Sequence, residues 1–218
     1  MRKLRTLLAL LVACICSVQG TWARTAPTFP EAQTLESGKT YYLYNVGSKR
    51  FVYRSSSVVQ TSETSKDGVI ITEQDNGYYT IQFSGYNYYW YVNTSSTGQM
   101  NYGTNPSDSY RYFRIAETEG GYTIQRNYSY DENHFVGNNS SYLIYSNLTS
   151  GNIVWQLFDE AGAEAVLRYW AKKALYDALE SASDYSFAID GYEAIYADES
   201  STNTQLQNAA DEINNAIL

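Results

Sequence analysis

Between Tyr41 and Trp155 the same series of strand-forming runs returns three times. The units open with Tyr41-Tyr42-Leu43-Tyr44, Tyr78-Tyr79-Thr80-Ile81 and Gly121-Tyr122-Thr123-Ile124, which spaces Tyr42, Tyr79 and Tyr122 by 37 and 43 residues. A second run follows at Phe51-Val52, Tyr91-Val92 and Phe135-Val136, in steps of 40 and 44. Small polar clusters come next, at Ser55-Ser56-Ser57, Ser95-Ser96 and Ser140-Ser141. Ile71, Phe113 and Trp155 close the units in two steps of 42. A repeated period of this kind is the mark of internal symmetry.

Tyr, Val, Ile, Thr and Phe dominate these runs, and Asn76-Gly77, Gly120-Gly121, Asn105-Pro106 and Gly151-Asn152 punctuate them. Such residues favour pleated, half-buried strands between turns. Propeller blades also carry four strands each but need about four blades to close. Three units therefore predict an all-β main domain, a β-trefoil of three four-stranded repeats. Phe51, Tyr91 and Phe135 are expected to superpose in its core, as are Ile71, Phe113 and Trp155.

At Ala161 the period changes. Leu167, Ala171, Ala174 and Ala178 share a helical face that Val166, Trp170, Leu175 and Leu179 widen. Residues 186–197 form a weaker helix candidate, and Thr202 with Gln205 has capping-box spacing before Leu206, Ala209 and Ile213. A small C-terminal α-helical unit over 161–218 is expected, with three basic and ten acidic residues. An end inside an apolar turn, at Ile217-Leu218, points to a truncated unit in a longer natural chain.

The other end reads as an export signal. Arg2, Lys3 and Arg5 precede the apolar run from Leu7 to Val12, and Thr21-Trp22-Ala23 offers small residues at a cleavage site. Residues 1–23 are expected to be removed, with 24–37 as a linker and 38–160 as the β domain. Leu11-Val12-Ala13-Cys14 also fits a lipobox, so a lipid anchor at Cys14 is the alternative to secretion. Both cysteines, Cys14 and Cys16, would leave with the leader, so no disulfide is expected. Extracellular bacterial proteins commonly do without one. Nothing later in the chain is apolar enough to predict a membrane span.

Cleavage removes three of the 15 basic residues and none of the 23 acidic ones, leaving 12 against 23 and a net charge of −11. Such a chain repels phosphate backbones, which argues against nucleic acid as a partner. With His134 as its single histidine and no cysteine, thiol catalysis and His-pair metal sites are not expected. No Gly-x-Ser-x-Gly elbow or phosphate loop is present, and the carboxylate pairs Asp131-Glu132 and Asp159-Glu160 are neighbours that point apart. The expectation is no enzyme, no cofactor and no metal.

The stretch Gly38-Lys39-Thr40-Tyr41-Tyr42-Leu43-Tyr44-Asn45-Val46-Gly47, followed by Lys49-Arg50-Phe51-Val52, resembles the opening of ricin-type β-trefoil domains in secreted proteins of Gram-negative bacteria. The likeness runs from residue 38 to about 160. In place of that family's Gln-x-Trp signature stand Val69-Ile70-Ile71, Arg111-Tyr112-Phe113 and Ile153-Val154-Trp155. The segment from Ala171-Lys172-Lys173-Ala174-Leu175 to Ala216 is similar to FIVAR-like helical modules of bacterial surface proteins. The first resemblance implies carbohydrate recognition without chemistry.

Binding chemistry is plentiful. Of 23 tyrosines, 18 lie between Tyr41 and Tyr145, and a tyrosine can both stack on a sugar ring and hydrogen-bond its hydroxyls. With Tyr91 turned inward, alternation along the strand turns Tyr88 and Trp90 outward, with Asn93 near them. The third unit offers Tyr128, Tyr130, Asp131 and Asn138 in the matching loop. The leading expectation is a carbohydrate-binding module whose partner is a glycan. A structural or adhesive module that meets a surface protein is the alternative, ahead of a proteinase inhibitor. The bland account of the tyrosines is that they pave the wall of the domain.

Overall fold

The structure is a computed structural model and describes residues 24–56, 58–92, 98–126, 134–148, 150–183 and 189–218. Among the described residues thirteen strands precede a helical C-terminal region. Six of them close a ring: β1 (Thr40–Asn45), β4 (Val69–Glu73), β5 (Tyr79–Phe83), β9 (Phe113–Thr118), β10 (Gly121–Arg126) and β13 (Trp155–Phe158). Each pairs antiparallel with the next, and β13 returns to β1 with Tyr42 opposite Phe158 and Asn45 opposite Trp155. Closure leaves none of these six as a free edge.

The remaining strands form hairpins beside the ring: β2 (Arg50–Arg54) with β3 (Val59–Ser62), β6 (Tyr89–Tyr91) with β8 (Asn101–Gly103), and β11 (Phe135–Asn139) with β12 (Tyr142–Ser146). They bond to one another through Tyr142–Gln60, Val58–Asn101 and the short β7 (Gly98–Gln99), which runs beside β12. Gly121 lets β10 pass β13: its φ is +152°, and a Cβ there would lie 2.3 Å from the Trp155 carbonyl oxygen.

Ile71, Phe113 and Trp155 are fully buried in one cluster with Val52, Val92 and Val136. The valines correct the expected face. Val52, Val92 and Val136 each directly follow the aromatics Phe51, Tyr91 and Phe135 and are the residues that point inward. Tyr91 and Phe135 are only half-buried, on the opposite side of their strands. Phe51 is buried, but in a separate cluster with Tyr44, Phe158, Ala163 and Val166. Side chains alternate along a strand, so placing the larger residue inside inverted the whole second run.

Three helices follow: α1 (Glu160–Ala182), α2 (Asp190–Ala197) and α3 (Asn203–Ala216). The Asp159 carboxylate caps α1 by accepting from the Gly162 N–H at 2.7 Å. Thr202 and Gln205 form the expected capping box on α3. The face of α1 divides along its length. Ala163, Val166, Leu167 and Trp170 pack on the β domain, while Ala171, Leu175, Ala178 and Leu179 pack with Leu206, Ala210 and Ile213.

Residues 24–37 are no loose linker. The Arg24 guanidinium pairs with Glu180 at 2.9 Å and Glu193 at 2.6 Å, and the Thr25 carbonyl accepts from the Tyr196 hydroxyl at 2.6 Å. The Phe29 ring meets Tyr169 edge-on at 5.0 Å and Tyr44 at 5.7 Å. Gln33 then bridges to Leu157, and the Tyr122 hydroxyl accepts from the Leu35 N–H at 3.0 Å. One aromatic, Phe29, together with Arg24 makes this segment a strap across both regions. No helix among the described residues is long and apolar enough to cross a membrane.

Candidate functional site

Strand β6 runs with Trp90 inward and Tyr89 and Tyr91 half-buried on the other side. Trp90 is therefore core, with its ring 5.9 Å from Phe83, and not the outward platform that alternation from Tyr91 predicted. Tyr88 is half-buried against the same core. Asn138 is also interior: its amide nitrogen donates to the Ser140 carbonyl at 2.9 Å, and its side-chain oxygen accepts from the Thr61 hydroxyl. That engagement holds the turn at Ser140, where φ is +61°, and removes Asn138 from the surface. Asn93, Tyr128, Tyr130 and Asp131 lie outside the described residues. His134 is half-buried with its ring stacked on Tyr145 at 5.6 Å.

The tyrosine surplus is largely spent on packing. Among the described residues only Tyr86, at 46 % exposure, Tyr142, at 42 %, and the terminal Leu218 are large apolar groups left open. Tyr86 is the one of these with an aromatic setting. Its ring lies nearly parallel to Tyr88, 5.9 Å apart and 16° between planes. Tyr88 in turn meets Tyr102 at 5.3 Å, and Tyr102 meets Phe83 edge-on at 5.5 Å. The Arg54 guanidinium carbon sits 4.1 Å from the Tyr86 ring centre and 5.8 Å from those of Tyr88 and Tyr102.

Backbone geometry holds each member. Gly85, with φ +76°, makes the turn after β5 that carries Tyr86, and the Gln82 side chain donates to the Tyr86 carbonyl at 2.7 Å. The Phe83 N–H bonds the Tyr88 carbonyl at 3.0 Å, which keeps Tyr86 and Tyr88 on one side of the turn. Arg54 ends β2, where its backbone N–H donates to the Asp67 carboxylate at 2.6 Å. The Tyr102 hydroxyl donates to the Ser55 carbonyl at 2.5 Å and so ties β8 to the end of β2. The result is an exposed flat ring, a second ring behind it and a cation lying against both. Aromatic faces are electron-rich, so the cation and the rings stabilise each other's placement.

Alternation along the strand singled out only Tyr88 of this group and passed over Tyr86. Arg54 and Tyr102 were missed, because they arrive from other strands. The one signal in the sequence is that Arg54 directly precedes the polar Ser55-Ser56-Ser57 cluster at the end of the second run. Elsewhere, burial pushes the Tyr44 hydroxyl up to about 12, against the opposing effect of the Trp170 indole N–H, which donates to it at 2.9 Å. Among the described residues no three His, Cys, Asp or Glu side chains gather to hold a metal ion.

No known protein family matches the chain, and no curated protein matches it in sequence. Several solved structures resemble part of the chain. The Macrolepiota procera ricin B-like lectin in complex with lactose is 10 % identical, with a TM-score of 0.46, covering 57 % of this chain and 98 % of its own. The Rhizoctonia solani agglutinin is 16 % identical at a TM-score of 0.46, over 60 % of this chain and 100 % of its own. A GlcNAcα1-4Gal-releasing endo-β-galactosidase from Clostridium perfringens is 17 % identical at 0.46, over 55 % of this chain. This chain spans only 32 % of that enzyme's length. At these scores the function of the chain is left to its own residues.

Proposed function

We propose that the chain is an exported bacterial carbohydrate-binding module without catalysis, built on a β-trefoil of three four-stranded repeats and followed by a FIVAR-like helical unit. The ring of six strands supports the threefold reading. Strands β1, β5 and β10 each bond to β4, β9 and β13 respectively, and those three bond onward to β5, β10 and β1. One hairpin falls between the members of each pair.

The observation that carries the function is Tyr86, an exposed ring braced by Tyr88 and Arg54 on a wall where nearly all other described aromatics are packed away. A braced ring loses little freedom when a sugar stacks on it, which is what makes it an economical contact. Binding of the mature chain to an immobilised glycan panel, competed by free sugar, tests this. Tyr86→Ala should weaken retention about tenfold, as loss of one stacking contact implies, and leave the melting temperature nearly unchanged. Equal retention by wild type and variant would refute the site. His134→Gln should leave binding as it is, and any glycan hydrolysis lost in that variant would overturn the non-catalytic reading.

A structural or adhesive role in meeting a surface protein is the second reading. It is favoured by the strap and the Phe29, Tyr44 and Trp170 contacts, which fix the helices to the β domain. A protein partner captured by the mature chain, without competition from sugar, would select it.

A further inference from the structure

We infer that the Tyr86 surface selects saccharides that carry a carboxylate, with Arg54 as the residue that reads the acid. The inference rests on the carbohydrate-binding proposal above and adds the ligand class. Its basis is that Arg54 is a cation held in place without being neutralised. Arg24, Arg50 and Arg168 each have a glutamate partner, at 2.6, 2.7 and 3.8 Å. No acidic side chain pairs with the Arg54 guanidinium among the described residues. The Asp67 carboxylate is taken by the Arg54 backbone N–H and not by its head group.

Among the described residues Arg114 also lacks an acidic partner, but it has a single ring, Tyr78, at 5.8 Å, whereas Arg54 is set among several. Three tyrosine rings surround the guanidinium, and its buried Nε–H has no acceptor among the described residues. Buried donors in folded proteins ordinarily find a partner. Tyr86 and Tyr102 stabilise the charge and orient it, yet the Nε–H is left without an acceptor among the described residues.

The donor inventory then chooses the ligand. A guanidinium offers only N–H donors, in a planar fork, and that fork matches the two oxygens of a carboxylate. A neutral sugar hydroxyl accepts one donor at a time and brings neither a second oxygen to the fork nor an opposite charge to the cation. A uronic acid residue stacked on Tyr86 would place a flat apolar face on the ring and its acid within reach of the neighbouring cation. Because the remainder of the mature chain is strongly acidic, this attraction must be local, and added salt should screen it only in part if the pair is shielded by the rings.

The test is calorimetry of the mature chain with trigalacturonate and with the same trisaccharide after its carboxylates are reduced to hydroxymethyl groups. The acid should bind about tenfold more tightly than its reduced counterpart, as a charge-assisted pair implies. Arg54→Gln should abolish that preference, Arg54→Lys should retain part of it, and Tyr86→Ala should weaken both ligands. Equal binding of the two trisaccharides, or a preference that survives Arg54→Gln, overturns the inference while the glycan panel still supports the broader function. Failure to bind either trisaccharide also overturns it, and silence on the whole panel would remove the carbohydrate reading as well. Should Arg54→Gln misfold, Arg54→Lys keeps the test open: an undiminished acid preference with the fork removed would refute bidentate reading.

Discussion

Two buried tryptophans in one core offer a controlled comparison. Trp90 and Trp155 are both fully buried in the same cluster. The Trp155 indole N–H donates to the Val136 carbonyl at 2.9 Å, whereas the Trp90 indole N–H has no acceptor among the described residues. Replacing either by Phe removes a similar volume, so the packing loss should be alike, on the order of 1–2 kcal/mol. The polar balance differs in sign. Trp155→Phe also gives up a hydrogen bond worth about 1 kcal/mol, while Trp90→Phe relieves an unmet buried donor, a gain of about 1–3 kcal/mol. Trp155→Phe should therefore be the costlier change by about 2–4 kcal/mol, or roughly 5–10 °C in melting temperature for a chain of this size. Urea titrations give the two free energies, and an unchanged denaturant slope would show that both variants unfold by the same transition. Trp90→Ala should cost about 3–5 kcal/mol, losing the fold before it loses a ligand. If Trp90→Phe proves as damaging as Trp155→Phe, the hydrogen-bond reasoning fails.

Gly121→Ala should be severe, because a Cβ would collide with the Trp155 carbonyl where β10 meets β13; a melting temperature within about 2 °C of wild type would contradict that close approach. Gly191→Ala should do the reverse, since nothing lies within 4 Å of its Cβ position in α2 and alanine favours helix by about 0.5–1 kcal/mol. Tyr44 bears on alkaline stability. Its folded pKa, about 12, lies above its ordinary value near 10, so its neutral form contributes stability that is complete below about pH 10 and lost as the pH rises through 12. Tyr44→Phe should flatten that part of the alkaline unfolding profile, and a profile of unchanged steepness would count against it.

The period of the strand-forming runs was legible because the same residue types return at a nearly constant spacing. Ile71, Phe113 and Trp155 were placed by spacing alone, and all three are core. Which face of a strand turns inward is a different question, and period 2 leaves it open. Phe51, Tyr91 and Phe135 look like core by size, yet the valines after them fill the interior. Phe51 misled because it is buried for a separate reason, under α1 and the strap. Once that face was inverted, Trp90 moved inside and the exposed ring became Tyr86, four residues earlier in a turn that alternation does not govern. Arg54 and Tyr102 could not be grouped with it from sequence, since their meeting depends on how one hairpin leans on the next.

The same inversion explains why the helices belong to the β domain. The outward aromatic of the second run is half-buried in two units, as Tyr91 and Phe135, and fully buried in the first, as Phe51. There Tyr44 and Phe158 widen it into an apolar face, and Ala163, Val166 and Phe29 cover that face. Burying a large apolar side chain contributes about 1.5–3 kcal/mol, so three of them stand for about 5–9 kcal/mol. That is comparable with the whole stability of an ordinary domain, about 5–15 kcal/mol. A fragment cut to residues 38–160 should therefore melt well below a chain of residues 24–218 and either bind a hydrophobic dye or self-associate. Extending the fragment to residues 24–172 restores Phe29, Val166 and Trp170 and should recover a monomer with little dye binding, although the helical core beyond is absent. A monomeric, dye-silent fragment of 38–160 with the stability of the full chain would mean that the β domain covers this face by itself, and that the strap and α1 are accessories.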